Sequence, residues 1–280
     1  MTVLAVSNVQ ELLAGTLLIL GLAILAIRSK AIDISGAILG AIICFAAFLA
    51  GGFEWLLVMI TFFVISSLFT RYRYDYKKKL GSAQEKGGVR SWPNTLANGL
   101  VAGLASIAEI VSHQDIFIIA FLAAVAGAMS DTIATEVGLL NGSKPRLIMN
   151  LKKFVEPGTS GGVSLLGELA GVACALGISL LGIVLKIING TFGIILSGFL
   201  AVFLGALIAT NFDSLLGGTI QGVNRCQVCD EETESLVHHG RPTLSFKGVR
   251  FLDNNAINLI ATIAAALLSI VLFLVFVSIS

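Results

Sequence analysis

Two carboxylates and two hydroxyls interleave in Asp131-Thr132-Ile133-Ala134-Thr135-Glu136. On a helix, Asp131 and Thr135 stand one turn apart, as do Thr132 and Glu136, so polar pairs line adjacent faces. Hard oxygen ligands of this type suit Mg²⁺, which commonly holds substrate phosphates at the same time. The competing reading is a helix end wetted by water, its acids merely solvated. Because the cluster follows a long apolar run, and ionisable groups at membrane depth are costly, the functional reading is preferred. Asp213, in Thr210-Asn211-Phe212-Asp213-Ser214, adds a third carboxylate, and acids from different helices at one level can converge in a bundle core. Its plainer alternative is the N-cap of a short amphipathic helix over 214–221.

Three further segments carry chemistry suited to anions. Gly158-Thr159-Ser160-Gly161-Gly162 precedes Ser164 and a helical pattern containing Glu168. Backbone N–H groups opening a helix suit a phosphate, although the run is neither a P-loop nor G-x-G-x-x-G. A flexible loop with Ser164 as N-cap explains it equally well, and Glu168 is a further candidate for the metal or for orienting a ligand. Lys86 and Arg90 lie beside Asn94 and Asn98, themselves one helical turn apart, and this group can bind anionic oxygens and a base edge. Upstream, Lys77, Lys78 and Lys79 read as an anchor near anionic lipid. Asp253 and Asn254 can cap the last helix, which leaves Asn255 and Asn258 to be explained otherwise. Finally, Cys226-x-x-Cys229 precedes His238 and His239. These are Zn²⁺-compatible ligands, but the adjacent histidines make joint ligation awkward, so a stabilising zinc knuckle, an idle reduced pair and a redox pair all stay open.

The elements that must position these groups are membrane helices. Apolar residues make up 56% of the chain and charged residues 12%, with mean hydropathy +0.94, too little charge to cover a soluble domain of 280 residues. Apolar runs are continuous rather than alternating, so an all-α polytopic transmembrane bundle is expected rather than a barrel. About eight spans are expected near 9–28, 34–51, 54–70, 94–111, 116–138, 163–187, 191–210 and 255–279, the second and third forming a hairpin through Gly51 and Gly52. The chain then reads as one integral membrane domain, 1–280, with long loops at 71–92, 139–162 and 211–253. Seventeen of its 18 Lys and Arg residues fall in the loops after spans one, three, five and seven. Positive loops stay cytoplasmic, which places these loops inside, both termini outside and the protein in the cell membrane. Lys186, the exception, can snorkel from a helix end. The first run lacks the basic n-region and cleavage site of a signal peptide.

Taken in order, Lys86 to Gly99, Ser130 to Gly138, Pro157 to Glu168, Asn211 to Gln221 and Leu252 to Asn258 resemble a membrane family that includes plant phytyl-phosphate kinase and animal transmembrane protein nineteen. The family is distantly similar to polyprenol kinases and CDP-diacylglycerol synthases. The resemblance implies phosphorylation of an isoprenoid monophosphate to its diphosphate, with CTP or another nucleoside triphosphate as donor. It maps the acidic motifs onto Asp131, Glu136 and Asp213. Ile133 stands where the family commonly has a Trp or similar residue, and His239 where a Cys often follows the loop His. The expected partners are nucleotide, isoprenoid phosphate and membrane lipid, without nucleic acid, and an oligomer is compatible with the pattern. A CTP-dependent cytidylyltransferase and a transporter with an intramembrane cation site are the alternatives.

Overall fold

The computed structural model describes residue 6 and residues 8–80, 85–230, 232–233 and 235–279, excepting the side chains of residues 85 and 86. Nine helices occur among them: α1 Val9–Arg28, α2 Ile34–Arg71, α3 Tyr74–Lys79, α4 Glu85–Gly88, α5 Trp92–Ser112, α6 Asp115–Gly138, α7 Leu165–Val184, α8 Phe192–Thr219 and α9 Asn254–Ile279. Among the described residues, seven helices are long and apolar enough to cross a membrane. One of these, α2, is two segments. Gly51 and Gly52 leave helical geometry, and Gly52 takes φ 64°, a left-handed value that glycine adopts without penalty. A Cβ at Gly51 would lie 1.9 Å from the Trp55 ring, so the bend also needs that position bare. The halves fold back on each other, with Ala37 packed near Phe63 and Ile43 clustered with Met59 and Phe62. The eight apolar segments expected from the sequence are therefore present.

Helix α6 runs through the centre and packs against α2, α5, α7, α8 and α9. Lipid supplies no hydrophobic force between helices, so close approach of small residues must hold the bundle. Gly167 and Gly171 of α7 meet α6 in this way, and a Cβ at Gly167 would stand 2.6 Å from the Ala134 carbonyl oxygen. Trp55 stacks on Phe121 with centroids 4.1 Å apart, filling the α2–α6 contact. Hydroxyls tie α9 to its neighbours: Thr262 Oγ1 donates to the Ala97 carbonyl at 3.1 Å, and Ser269 Oγ to that of Ala201 at 2.9 Å.

The long loops gather at one end of the bundle and carry short strands that an all-helical reading does not anticipate. Between α6 and α7, β1 Arg146–Leu147, β2 Asn150–Phe154 and β3 Gly162–Val163 form a sheet in the order β2-β1-β3. Between α8 and α9, β4 Val223–Arg225, β5 Glu232–Thr233 and β8 Leu244–Lys247 pair as β5-β4-β8, while β6 Val237–His238 and β7 Arg241–Pro242 form a hairpin. Helix α8 corrects one expectation. It continues unbroken to Thr219 rather than ending near residue 210, so Asp213 lies within it and caps no separate helix over 214–221. Ser164 and Asp253 do act as caps, accepting from Gly167 N at 3.2 Å and Ala256 N at 2.9 Å.

Candidate functional site

Asp131 sits midway through the last three turns of α6, where side chains from four helices meet. A small cavity is lined there by Asn98 of α5, Asp131, Thr210 and Asp213 of α8, and Asn258 and Thr262 of α9. Asn258, with its amide turned to donate, reaches Asp213 Oδ2 and the Asn254 carbonyl, both at 3.1 Å; the hydrogen-bond pattern assigns that orientation. Asn258 is thus part of the site, beyond any capping role. Glu168, in the first turn of α7, is the acidic neighbour of Asp131 and bonds to Asn211. The hydroxyls interleaved with these acids contribute less: Thr132 and Thr210 donate to carbonyls four residues back, at 2.8 and 3.0 Å. Asn98 Nδ2 donates to the Asn94 carbonyl at 2.9 Å, whereas the Asn98 and Asn94 Oδ1 atoms are buried without a hydrogen-bond partner. The chamber is thus rich in hard oxygen acceptors, and a cation there would satisfy the buried Asn98 Oδ1.

Glu136 does not join this chamber. Only 3% exposed, it forms an ion pair with Lys77, itself 1% exposed, at 2.5 Å. Lys77 Nζ also donates to the Phe69 and Thr70 carbonyls at 2.8 and 2.7 Å, so its three protons are all used. It therefore caps the C-terminus of α2 and ties it to α6. This corrects two expectations: Lys77 is not a lipid-facing anchor, and Glu136 is occupied by an internal cation rather than grouped with Asp131 and Asp213. Sequence offers a weak signal for Lys77, a lysine just beyond the end of an apolar helix, where carbonyls lack intrahelical partners.

Arg90 is buried beside the same pair. Its backbone bridges to the α1–α2 turn, donating to the Ala31 carbonyl at 3.1 Å and accepting from Asp33 N at 2.9 Å. Its guanidinium lies 5.7 Å from the Phe62 ring, and its Nε is buried without a partner. Burial lowers its pKa to about 10, with the Glu136 carboxylate acting in the opposite direction, so the group stays cationic at neutral pH. The side chain of Lys86 lies outside the described residues.

Arg90, Asn94 and Asn98 form the polar end of a cavity of about 340 Å³ between α1, the α2 hairpin and α5. The remainder is apolar, walled by residues such as Leu22, Ala41, Leu56 and Phe63. That volume falls within the range of ligand sites, at roughly 300–1,000 Å³. Asn98 lines both cavities, so the apolar chamber and the acidic one meet at one side chain.

The glycine segment forms a tight turn, as the loop reading has it. Thr159 N donates to the Glu156 carbonyl at 3.1 Å and Gly162 N to that of Thr159 at 2.9 Å, so both amides serve the turn itself rather than a phosphate. Thr159 Oγ1 bonds to the Glu156 carbonyl as well, at 2.8 Å. Gly161 has φ 79°, and a Cβ there would lie 2.5 Å from Gly218 Cα, which docks this loop onto the end of α8. Gly158 is exposed, and Ser160 is half-buried in the same turn. Asn255 stands half-buried in the first turn of α9 and lines neither cavity. In the α8–α9 loop, ligand atoms of Cys226, Cys229 and His238 lie within 4.8 Å of one another, and His239 is not among them. His239 occupies the following turn at φ 52°, which corrects its place in the expected ligand set. Burial raises the Cys226 thiol, but hydrogen bonds from the Cys229 and Val228 backbone and from the His238 and Cys229 side chains outweigh it and bring the pKa to about 7.

Residues 17–266 match the family described as integral membrane protein DUF92. The chain belongs to that family. It is similar to an uncharacterised membrane protein of Methanocaldococcus jannaschii, 30% identical over 94% of each chain. It is also similar to Protein PGR of Arabidopsis thaliana, 29% identical over 86% of this chain and 89% of that one. Protein VTE6, chloroplastic, from the same plant is 29% identical over 49% of this chain and 44% of its own length. No solved structure matches.

Proposed function

We propose that this DUF92 member is a membrane isoprenoid-phosphate kinase, converting a prenyl or phytyl monophosphate to the diphosphate with CTP or another nucleoside triphosphate as donor. The observation that carries the reading is the junction at Asn98: an apolar cavity ending in a buried guanidinium opens beside a chamber of carboxylates. An isoprenoid chain fits the first and its phosphate fits Arg90 and Asn94, while the second, at about 10 Å³, has room for a metal ion beside which the nucleotide phosphates would bind. The resemblance to the family of plant phytyl-phosphate kinase points the same way.

In the reaction, an oxygen of the acceptor phosphate attacks the γ-phosphorus of the nucleotide. The new P–O bond forms as the bond from γ-phosphorus to the β–γ bridging oxygen breaks, and the nucleoside diphosphate leaves with that electron pair. The nucleophile is already an anion, so no strong general base is needed. Bringing two anions together is the difficulty, and positioning with charge stabilisation is the remedy. Arg90 offsets acceptor charge from within an apolar wall, where a fixed cation acts strongly. Asp131 and Asp213, with Glu168 as neighbour, are the residues that would hold Mg²⁺, whose chemistry here is to neutralise nucleotide phosphate oxygens. In this reading the loop-bearing end faces the cytoplasm, where nucleotide is available, while the lipid enters laterally from the bilayer.

Protein purified in detergent and given Mg²⁺, γ-labelled CTP and geranylgeranyl phosphate should transfer label to the lipid and release CDP. Release of pyrophosphate with formation of a CDP-lipid would instead make it a cytidylyltransferase. Solute counterflow in liposomes without nucleotide consumption would make it a transporter.

A further inference from the structure

We infer that Cys226, Cys229 and His238 bind one zinc ion that holds the α8–α9 loop in shape. Zn–S bonds of about 2.3 Å and a Zn–N bond of about 2.0–2.1 Å at a tetrahedral angle set sulfur and nitrogen about 3.5–3.6 Å apart. Cys229 Sγ and His238 Nδ1 are 3.6 Å apart, and Cys226 Sγ completes the group within 4.8 Å. The turn is also built to present sulfur. Val228 N donates to Cys226 Sγ at 3.3 Å, and Asp230 N closes the turn on the Cys226 carbonyl at 3.1 Å. Such N–H···S bonds orient a thiolate ligand and offset its charge.

Among the loop's described residues from 220 to 253, the buried ones are Gln221, Val223, Asn224 and Cys226, while Val228, Leu236, Leu244 and Phe246 are exposed. A segment this size without an apolar core needs a staple, and a metal is the usual one where thiols converge. The ion would join the turn after β4 to the β6–β7 hairpin. A direct bond between these parts runs from Gln227 Nε2 to the Pro242 carbonyl at 2.8 Å. The role is structural: the cluster lies in the loop, and neither cavity described above includes its residues. Zinc accordingly stands apart from the proposed phosphoryl transfer. Among the described residues, these three supply the protein ligands.

The test is the metal content of the full chain purified in detergent without chelators, measured by inductively coupled plasma mass spectrometry. About one zinc per chain is expected for the wild type and for His239→Ala, and a small fraction of that for Cys229→Ser and His238→Ala. Cobalt-loaded wild type should show thiolate charge-transfer absorption that Cys229→Ser lacks. Trypsin should cut after Lys247 and Arg250 much faster once a chelator has removed the metal. A zinc-free preparation, recovery of Cys226 and Cys229 as a disulfide, or full zinc in both ligand variants would overturn the assignment.

Discussion

Asp131 and Glu136 share one helix and one short polar motif, yet their surroundings are opposite. Glu136 is sealed against Lys77 and stitches the end of α2 to α6. Asp131 opens onto a cavity that Asp213, Asn98 and Asn258 also line. An acid satisfied by an internal cation is a structural part, whereas acids gathered around a cavity are, on the proposed reading, equipped to hold a cation that arrives with substrate. Five residues of helix separate the two roles, and side-chain direction decides between them.

The contrast can be broken most forcefully at Lys77. Removing one partner of a buried pair strands the other charge, so Lys77→Met should lower stability by about 3–5 kcal/mol. Thermal unfolding in detergent would register this, and adding Glu136→Met should recover most of the loss. Next in size is Asp213→Asn, which should reduce phosphoryl transfer by about 10²–10³-fold while leaving unfolding close to wild type. Gly161→Ala tests the docking of the glycine loop. A Cβ pressed against Gly218 at a left-handed φ should cost about 1–3 kcal/mol, read as a lowered unfolding midpoint. The smallest effect is expected at the apolar wall. Ala41→Phe should raise the apparent KM for a long isoprenoid phosphate by about tenfold or less, and that for a five-carbon acceptor hardly at all. Equal effects on both acceptors would remove the cavity from the account.

Much of the architecture is legible in the residues. Continuous apolar runs locate the helices, Gly51-Gly52 marks the hairpin, Ser164 and Asp253 mark caps, and Gly167/Gly171 mark a close contact. Helix α8 is misjudged because hydropathy falls at Thr210-Asn211 and Asp213-Ser214, although Thr210 and Asp213 turn inward and the backbone hydrogen bonds continue. Polarity facing a cavity and polarity facing water look alike in one dimension. Lys77 is obscured for a related reason. In Tyr76-Lys77-Lys78-Lys79 all three lysines look solvated, and the acid that buries one of them lies 59 residues away. The glycine loop stays ambiguous in sequence because conformational freedom serves a tight turn and a docked backbone as readily as a phosphate. Asn98 and Asn258 carry a polar signature, but only helix packing brings them to Asp131 and Asp213.

The central claim is that Asp131 serves chemistry and Glu136 serves the fold. Its most direct test is the rate of label transfer from γ-labelled CTP to geranylgeranyl phosphate by Asp131→Asn, measured at a temperature where its unfolding curve overlays the wild type. A loss of about 10²-fold or more with the fold intact is the predicted result. A wild-type rate in that folded variant would contradict the account.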